Sequence, residues 1–412
     1  MLLLFGNLFN NHFPSAVILM IGAMTAGEAF LFWQKAGFSI DFEKRYQSPY
    51  INAFPIIITI TSFFTTVFLH FIYSILNFKM FISISSILST ISWFIMTFST
   101  KYIVILLIVS ATFLGVSISI FNILNPIYLL SLATREQKDA FGILHPIGIS
   151  LGSIVCIILG KFFNWRILCL IFGFISTLHV ILVNFIPDFD TQYLEQLKKA
   201  RINERKTSNL KSYVHCIFLV ILPFIGGYFD EFLSTNPYKL IEIPRYLVFT
   251  NAIFCFILFF TFVLVYYWKF KSIWIASCVL CCGSQIASAV LTAMHFDQEY
   301  NSFLYILFVL SFRFGLDVVG WSLLPRIDYS LLPYLSIIRV TCYGIYFVFT
   351  MNGNKFIFTM ITKSLSSFIC FVLLIYGLFF FHEENEVLDD VPTAKLENIF
   401  ESKPDSLTSH LL

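Results

Sequence analysis

The chain has 412 residues, of which 58% are hydrophobic and 12% charged, and its mean hydropathy is +0.83. A soluble chain of this length needs far more charge to cover its surface, so the composition points to a lipid bilayer as the surrounding solvent. A net charge of +2 gives no bulk electrostatic case for nucleic acid as a partner.

A helix needs about 20 apolar residues to cross the hydrocarbon. Windows of that size predict spans near 14–33, 51–75, 78–99, 102–132, 142–160 and 165–187, with a tight join between the third and fourth. Further spans are predicted near 212–229, 245–268, 272–294, 301–325, 330–350 and 355–381. The runs are long, continuous and non-alternating, which favours helices over a barrel. The expected fold is an all-α polytopic membrane protein with twelve transmembrane helices in two six-helix halves. No basic residue precedes the first apolar stretch, whose first lysine is Lys35, so no signal peptide is expected.

The only long polar stretch between spans is 188–211, which carries Lys198, Lys199, Arg201, Arg205, Lys206 and Lys211. Lys and Arg accumulate on the cytoplasmic side, so this loop and both termini are expected to be cytoplasmic. The resulting organisation is an N-terminal half (1–187), a basic loop (188–211), a C-terminal half (212–381) and an acidic tail (382–412). Glu383, Glu384, Glu386, Asp389 and Asp390 open that tail, which reads as a solvated, disordered extension. All nine cysteines lie in apolar runs, including the cluster Cys278, Cys281 and Cys282, and read as small buried apolar residues rather than a disulfide framework or metal set. No Asn-x-Ser/Thr sequon occurs. Nucleophile–base pairs, phosphate loops and cofactor motifs are likewise absent from the sequence, so neither an enzyme nor a cofactor is expected.

Two six-helix halves joined by a cytoplasmic loop resemble the architecture of the major facilitator superfamily. In that fold a substrate site lies between the halves near mid-membrane and is exposed alternately as they rock. A sharper likeness lies in one segment. It reads Pro126, Tyr128, Ser131 and Ala133, then Lys138, Asp139, Ala140, Phe141 and Gly142, then Gly148, Gly152, Gly160, Trp165, Arg166, Pro187 and Asp188. This resembles the sugar-porter branch of that superfamily. Its members carry Pro-x-Tyr-x-x-Glu-x-Ala-Pro, then Arg-Gly, spaced glycines, Trp-Arg and Pro-Glu-Ser-Pro-Arg. Ser131 stands where the family has Glu, Thr134 replaces a Pro, and Lys138 replaces the Arg. The resemblance implies a cytoplasmic gating network, for which Arg135, Glu136, Lys138 and Asp139 are the candidates, with an ordinary solvated loop as the alternative. Elsewhere the likeness thins to Asn77, Phe78 and Lys79 after the second span and Lys269, Phe270 and Lys271 after the eighth. In the tenth span Gly315 and Trp321 remain of a Gly-Pro-x-x-Trp pattern.

Candidate site residues follow. Glu28 is an acid at membrane depth, costly by a few kcal/mol unless it meets protein or water. By resemblance to proton-coupled porters it is the candidate proton carrier, the alternative being an acid that reaches the outer surface. Arg313 and Asp317 lie four apart and are expected to form an intramembrane ion pair. Trp321 is the implied substrate contact of the second half, a ring for a sugar's C–H face, with an interfacial anchor as its alternative. His145 and Pro146 occupy positions where hexose carriers place a sugar-binding Gln. Leu222 and Pro223 stand in place of the seventh-span Gln pair, ahead of Gly226, Gly227 and Tyr228. His145 and Tyr228 are therefore candidate replacements for lost sugar ligands, as is Asp230, unless Asp230 and Glu231 are external loop charges. His70 and His179 read as helix–helix hydrogen bonders.

The expected activity is transport of a small polar solute, a hexose or related sugar first, by uniport or H⁺ symport. An organic ion or amino acid is the alternative cargo, and a non-transporting sugar sensor the alternative class. The expected partners are the solute, H⁺ and the lipid bilayer, with no nucleic acid. A monomer is the expected working form, in the plasma membrane or else an internal one.

Overall fold

The computed structural model describes residues 13–27, 53–72, 77–99, 104–133, 138–187, 260, 269–294, 303–304, 307–308, 310–322 and 355–379. The expected spans at 212–229, 245–268 and 330–350, the basic loop and the acidic tail lie outside the described residues, apart from Phe260. The described first-half helices are α1 (Phe13–Gly27), α2 (Ala53–Ile72), α3 (Phe78–Thr97), α4 (Val104–Leu132), α5 (Lys138–Phe162) and α6 (Trp165–Val183). Then come α7 (Phe270–Ala293), a π-turn (Phe312–Asp317) inside the tenth predicted span, and α8 (Lys355–Phe379). At the tight join between the third and fourth spans, α3 ends at Thr97 and α4 opens at Val104, with 100–103 outside the described residues. Among the described residues, Phe78–Thr97, Ile105–Leu132, Trp165–Val183 and Phe270–Ala293 are long and apolar enough to cross a membrane.

The distribution of side chains inverts that of a soluble protein. Phe64, Phe68, Phe174, Phe185 and Phe368 are exposed, while Ser62, Ser85, Ser89, Ser92, Ser110, Ser117 and Ser119 are buried. Lipid gives apolar residues no reason to hide, so helices associate through close packing and interhelical hydrogen bonds. Serine serves both needs, being small and able to donate to a facing carbonyl.

Helices α3 and α4 show this twice. Ser85 Oγ donates to the Ser117 carbonyl at 3.0 Å, and Ser117 Oγ returns a bond to the Ser85 carbonyl at 2.9 Å. Two turns on, Ser92 and Ser110 repeat the exchange at 2.7 and 3.1 Å. The seven-residue step on each helix keeps both pairs on one antiparallel seam. Helix α2 runs parallel to α4, held by Ser62 and Ser119, whose hydroxyls lie 2.6 Å apart.

The opposite side of α3 packs antiparallel on α6. Ser86 meets His179 Nδ1 at 2.8 Å, Ser89 meets Ser176 at 3.2 Å, and Trp93 stacks on Phe172 at 5.0 Å between centroids. At the end of this seam Arg166 reaches the Ser99 carbonyl at 3.5 Å and lies over the Trp165 ring. His179 thus takes the helix-bridging role expected of it; the His70 side chain lies outside the described residues.

Helix α7 packs against the π-turn on one side and α8 on the other. Trp274 Nε1 donates to the Leu373 carbonyl at 3.4 Å. Lys363, a cation inside a span, donates to Ser288 Oγ at 2.6 Å and Thr292 Oγ1 at 3.0 Å. Cys278, Cys281, Cys282 and Cys370 are free and buried in this packing, as the sequence implied for the first three.

Close approach is tight between α1 and α5. A Cβ on Gly148 would fall on the Met20 carbonyl and 3.0 Å from Ala23 Cβ, so only glycine permits this crossing. Gly148→Leu is expected to cost about 1–3 kcal/mol through overpacking and to lower the detergent melting temperature by several degrees. Ser83→Ala is the control, because Ser83 Oγ bonds the Lys79 carbonyl of its own helix. An unchanged melting temperature for Gly148→Leu would remove this contact from the account.

Candidate functional site

The site begins with two prolines inside helices. Pro126 lies in α4 and Pro146 in α5. A proline has no N–H, so the carbonyls of Asn122 and Gly142, four residues earlier, lose their helical donors. Beside these interruptions the described residues collect their polar side chains.

Asn125 and His145 are fully buried. Asn125 Nδ2 donates to the Leu19 carbonyl of α1 at 3.1 Å and to His145 Nδ1 of α5 at 3.0 Å. An amide nitrogen only donates, so Nδ1 of His145 accepts, and the neutral ring carries its proton on Nε2. One asparagine therefore ties three helices and fixes the histidine tautomer.

His145 then meets the second half of the chain. Its ring lies edge-on to Trp321, 4.9 Å between centroids with an interplanar angle of 61°. One turn earlier on α5, Gly142 lies against Ser322; a Cβ there would stand 2.6 Å from Ser322 Oγ and 2.9 Å from its Cα. The two contacts form a continuous seam between α5 and the tenth span.

The tenth span reaches this seam through its π-turn. Ser277 Oγ of α7 accepts from the Leu316 N–H at 3.2 Å and donates to the Ser311 carbonyl at 2.6 Å, so one hydroxyl closes backbone valences around the widened turn. The turn ends on Asp317, fully buried, whose carboxylate accepts from Trp321 Nε1 at 3.1 Å. The sequence placed Arg313 and Asp317 on a regular α-helical face. The structure puts both in a π-turn, and it gives Asp317 the indole as a partner. The Arg313 side chain lies outside the described residues. With its N–H committed to Asp317, Trp321 keeps only its ring face for contacts such as the one with His145.

The structure thus brings together His145, Trp321 and Asp317 and adds Asn125, which the sequence reading did not single out. A carboxamide inside an apolar run, directly before a mid-helix proline, was the signal available. Glu28, Arg135, Glu136 and Tyr228 lie outside the described residues, as do Asp230 and Glu231. Lys138 and Asp139 open α5, but their side chains are not described.

Comparison with solved structures finds the same arrangement of helices. The E. coli proton:xylose symporter XylE bound to 6-bromo-6-deoxy-D-glucose superposes with a TM-score of 0.72, covering 92% of this chain and 98% of its own at 12% identity. The E. coli fucose:proton symporter FucP gives 0.57, covering 88% of this chain and 97% of its own at 11% identity. The human organic anion transporter MFSD10 gives 0.61, covering 88% of this chain and 100% of its own at 10% identity. The chain therefore has the major facilitator fold, that of an integral, multi-pass membrane protein. A family model described as sugar (and other) transporter matches residues 18–213, which include the motif segment and all but the first residues of the six first-half helices. By the family match over its first half and by its fold, the chain is similar to sugar-porter-like transporters of the major facilitator superfamily. Comparison with curated proteins gives no match.

The Trp321–Asp317 bond sets a test. Trp321→Phe keeps a ring against His145 but removes a charge-assisted donor, a loss of about 1.5–3 kcal/mol in stability. Asp317→Asn keeps an acceptor and should cost less. The double variant should be milder than the sum of the singles by about 1 kcal/mol or more, read from denaturation in detergent. Strict additivity would dissolve the pair.

Proposed function

We propose that this protein moves a small polar solute across the membrane by alternating access, and that the solute is a hexose or a related sugar. The observation carrying this reading is the sugar-transporter family match over the first-half helices, on a fold shared with a proton:xylose symporter. The buried seam of His145, Asn125, Trp321 and Asp317 supports it, because it offers directional polar groups beside an aromatic face. The fold itself is shared with an organic anion transporter, so cargo has to be argued from side chains.

On the expected topology the start of α5 and the end of the tenth span lie toward the cytoplasm. Their contact at Gly142 and Ser322 is then the closed side of an outward-open state, and the cycle requires it to part and re-form. Arg135, Glu136, Lys138 and Asp139 belong to the same end and supply the charges of a gate. Glu28 is the coupling acid if transport is proton-linked.

Reconstitution in liposomes with labelled hexoses and other polar solutes, with and without a pH gradient, is the direct test. Saturable hexose flux is the expected outcome. Sugar-dependent thermal stabilisation without flux of any solute identifies a sensor instead. If flux follows the pH gradient, Glu28→Gln is expected to abolish that dependence and leave exchange intact; unchanged coupling removes Glu28 from the role.

The seam has its own test. A side chain at Gly142 meets Ser322, and an overpacking penalty of about 1–3 kcal/mol lowers the closed population roughly 5- to 150-fold. Gly142→Leu is therefore expected to cut uptake by that order while the protein still binds solute. Gly283→Leu, where an added Cβ meets open space, should leave uptake unchanged. Equal activity of the two variants would rule out a moving contact at Gly142.

A further inference from the structure

We infer that Asn125 reads a hydroxyl of the transported solute, and that its carbonyl oxygen selects neutral, hydroxyl-bearing solutes over anions. The inference rests on the transport reading and adds a specificity residue to the same site.

The orientation of the carboxamide is fixed by its neighbours. The Leu19 carbonyl only accepts, so the NH₂ group faces α1 and divides its two hydrogens between that carbonyl and His145 Nδ1. Oδ1 is thereby turned away from both partners. It is buried and makes no hydrogen bond among the described residues. One turn earlier on α4, Asn122 also has a buried Oδ1 without a partner among the described residues. The Asn122 backbone carbonyl, moreover, has lost its helical donor to Pro126.

A bare amide acceptor is expensive to bury. Two on successive turns of one helix, next to a third acceptor on the backbone, make a surface that only a donor satisfies. Asn125 is bonded to His145, and His145 lies against Trp321, so this surface adjoins the seam between the halves. A sugar supplies what the geometry lacks: an O–H for the amide oxygen and a C–H face for the indole ring. A carboxylate or phosphate supplies only acceptors, and it would face the carbonyl dipoles and the buried Asp317. The neutral His145 offers it no compensating charge.

The test uses the full chain in nanodiscs, with D-glucose, each of its monodeoxy analogues and D-glucuronate as probes. Wild type is expected to bind one monodeoxy analogue about five- to tenfold more weakly than glucose, the worth of a neutral hydrogen bond. It should bind glucuronate more weakly still. Asn125→Ala is expected to bind glucose and that analogue equally. Asn122→Leu, which leaves the Leu19 and His145 bonds intact, provides a second variant should the first fail to fold. It is expected to flatten the response to a different deoxy position.

Variants that keep the full wild-type discrimination overturn the inference and leave sugar transport standing. A wild type that prefers glucuronate overturns it outright, before any variant is made. A wild type that binds none of the hexoses overturns the sugar reading, and this inference with it.

Discussion

Everything in this fold depends on hydroxyls and glycines that let helix backbones touch in an apolar solvent. In water, burial of Leu and Phe would hold such helices together. In lipid those residues gain nothing by turning inward, and here they face outward at Phe64, Phe68, Phe174 and Phe368. The reciprocal Ser85–Ser117 and Ser92–Ser110 bonds have a double function. They satisfy polar groups that have no water to turn to, and they set the register of α3 on α4. Gly148 does for α1 and α5 what the serines do for α3 and α4. A first half locked in this manner suits the rigid-body rocking that the proposed transport cycle requires.

The polar cluster obeys the opposite rule. Along the seams of α3 and α2 with α4, hydroxyls answer carbonyls pairwise. At Asn125, Asn122 and Ser322 the described side chains leave buried oxygen atoms without partners. These atoms lie where α4, α5 and the tenth span approach the seam, beside helices interrupted by Pro126 and Pro146. Satisfied networks rigidify a core, whereas unsatisfied buried groups call for an explanation in function. The proposed role, uptake and release of a solute, needs valences the protein itself does not fill.

Much of this was legible in sequence. The helices at 53–72, 78–97, 104–132, 165–183, 270–293 and 355–379 fall inside or on their predicted spans because a run of apolar residues is a direct reading of bilayer thickness. The glycine framework was legible because glycine has one use in such a helix. His145, Asp317 and Trp321 were named from residue type and resemblance, and the structure joins them. The geometry that joins them was not legible. A π-turn adds one residue to a helical turn without any composition of its own, so the spacing of Arg313 and Asp317 read as a plain α-helical pair. Nor does sequence tell which serine faces another helix, since Ser83 bonds its own backbone while Ser85 bonds α4. Asn125 was overlooked because its importance comes from Leu19 and His145, far from it in the chain.

The two halves use the same device to different ends. Phe78 and Lys79 open α3, and Phe270 and Lys271 open α7; six residues beyond each lysine stand Ser85 and Ser277. Each serine donates to a serine carbonyl on the following span, Ser117 in one half and Ser311 in the other. In the first half the facing helix is regular, and Ser117 returns the bond. In the second half the facing helix widens into the π-turn, and Ser277 instead accepts the Leu316 N–H. Gly315 makes room for this, since a Cβ there would fall on Ser277. The repeat thus keeps its hydroxyl and changes its partner, and the turn it supports leads to Asp317 and to Trp321, whose ring meets His145. The regular copy builds a scaffold; the altered copy places the residues that face the seam.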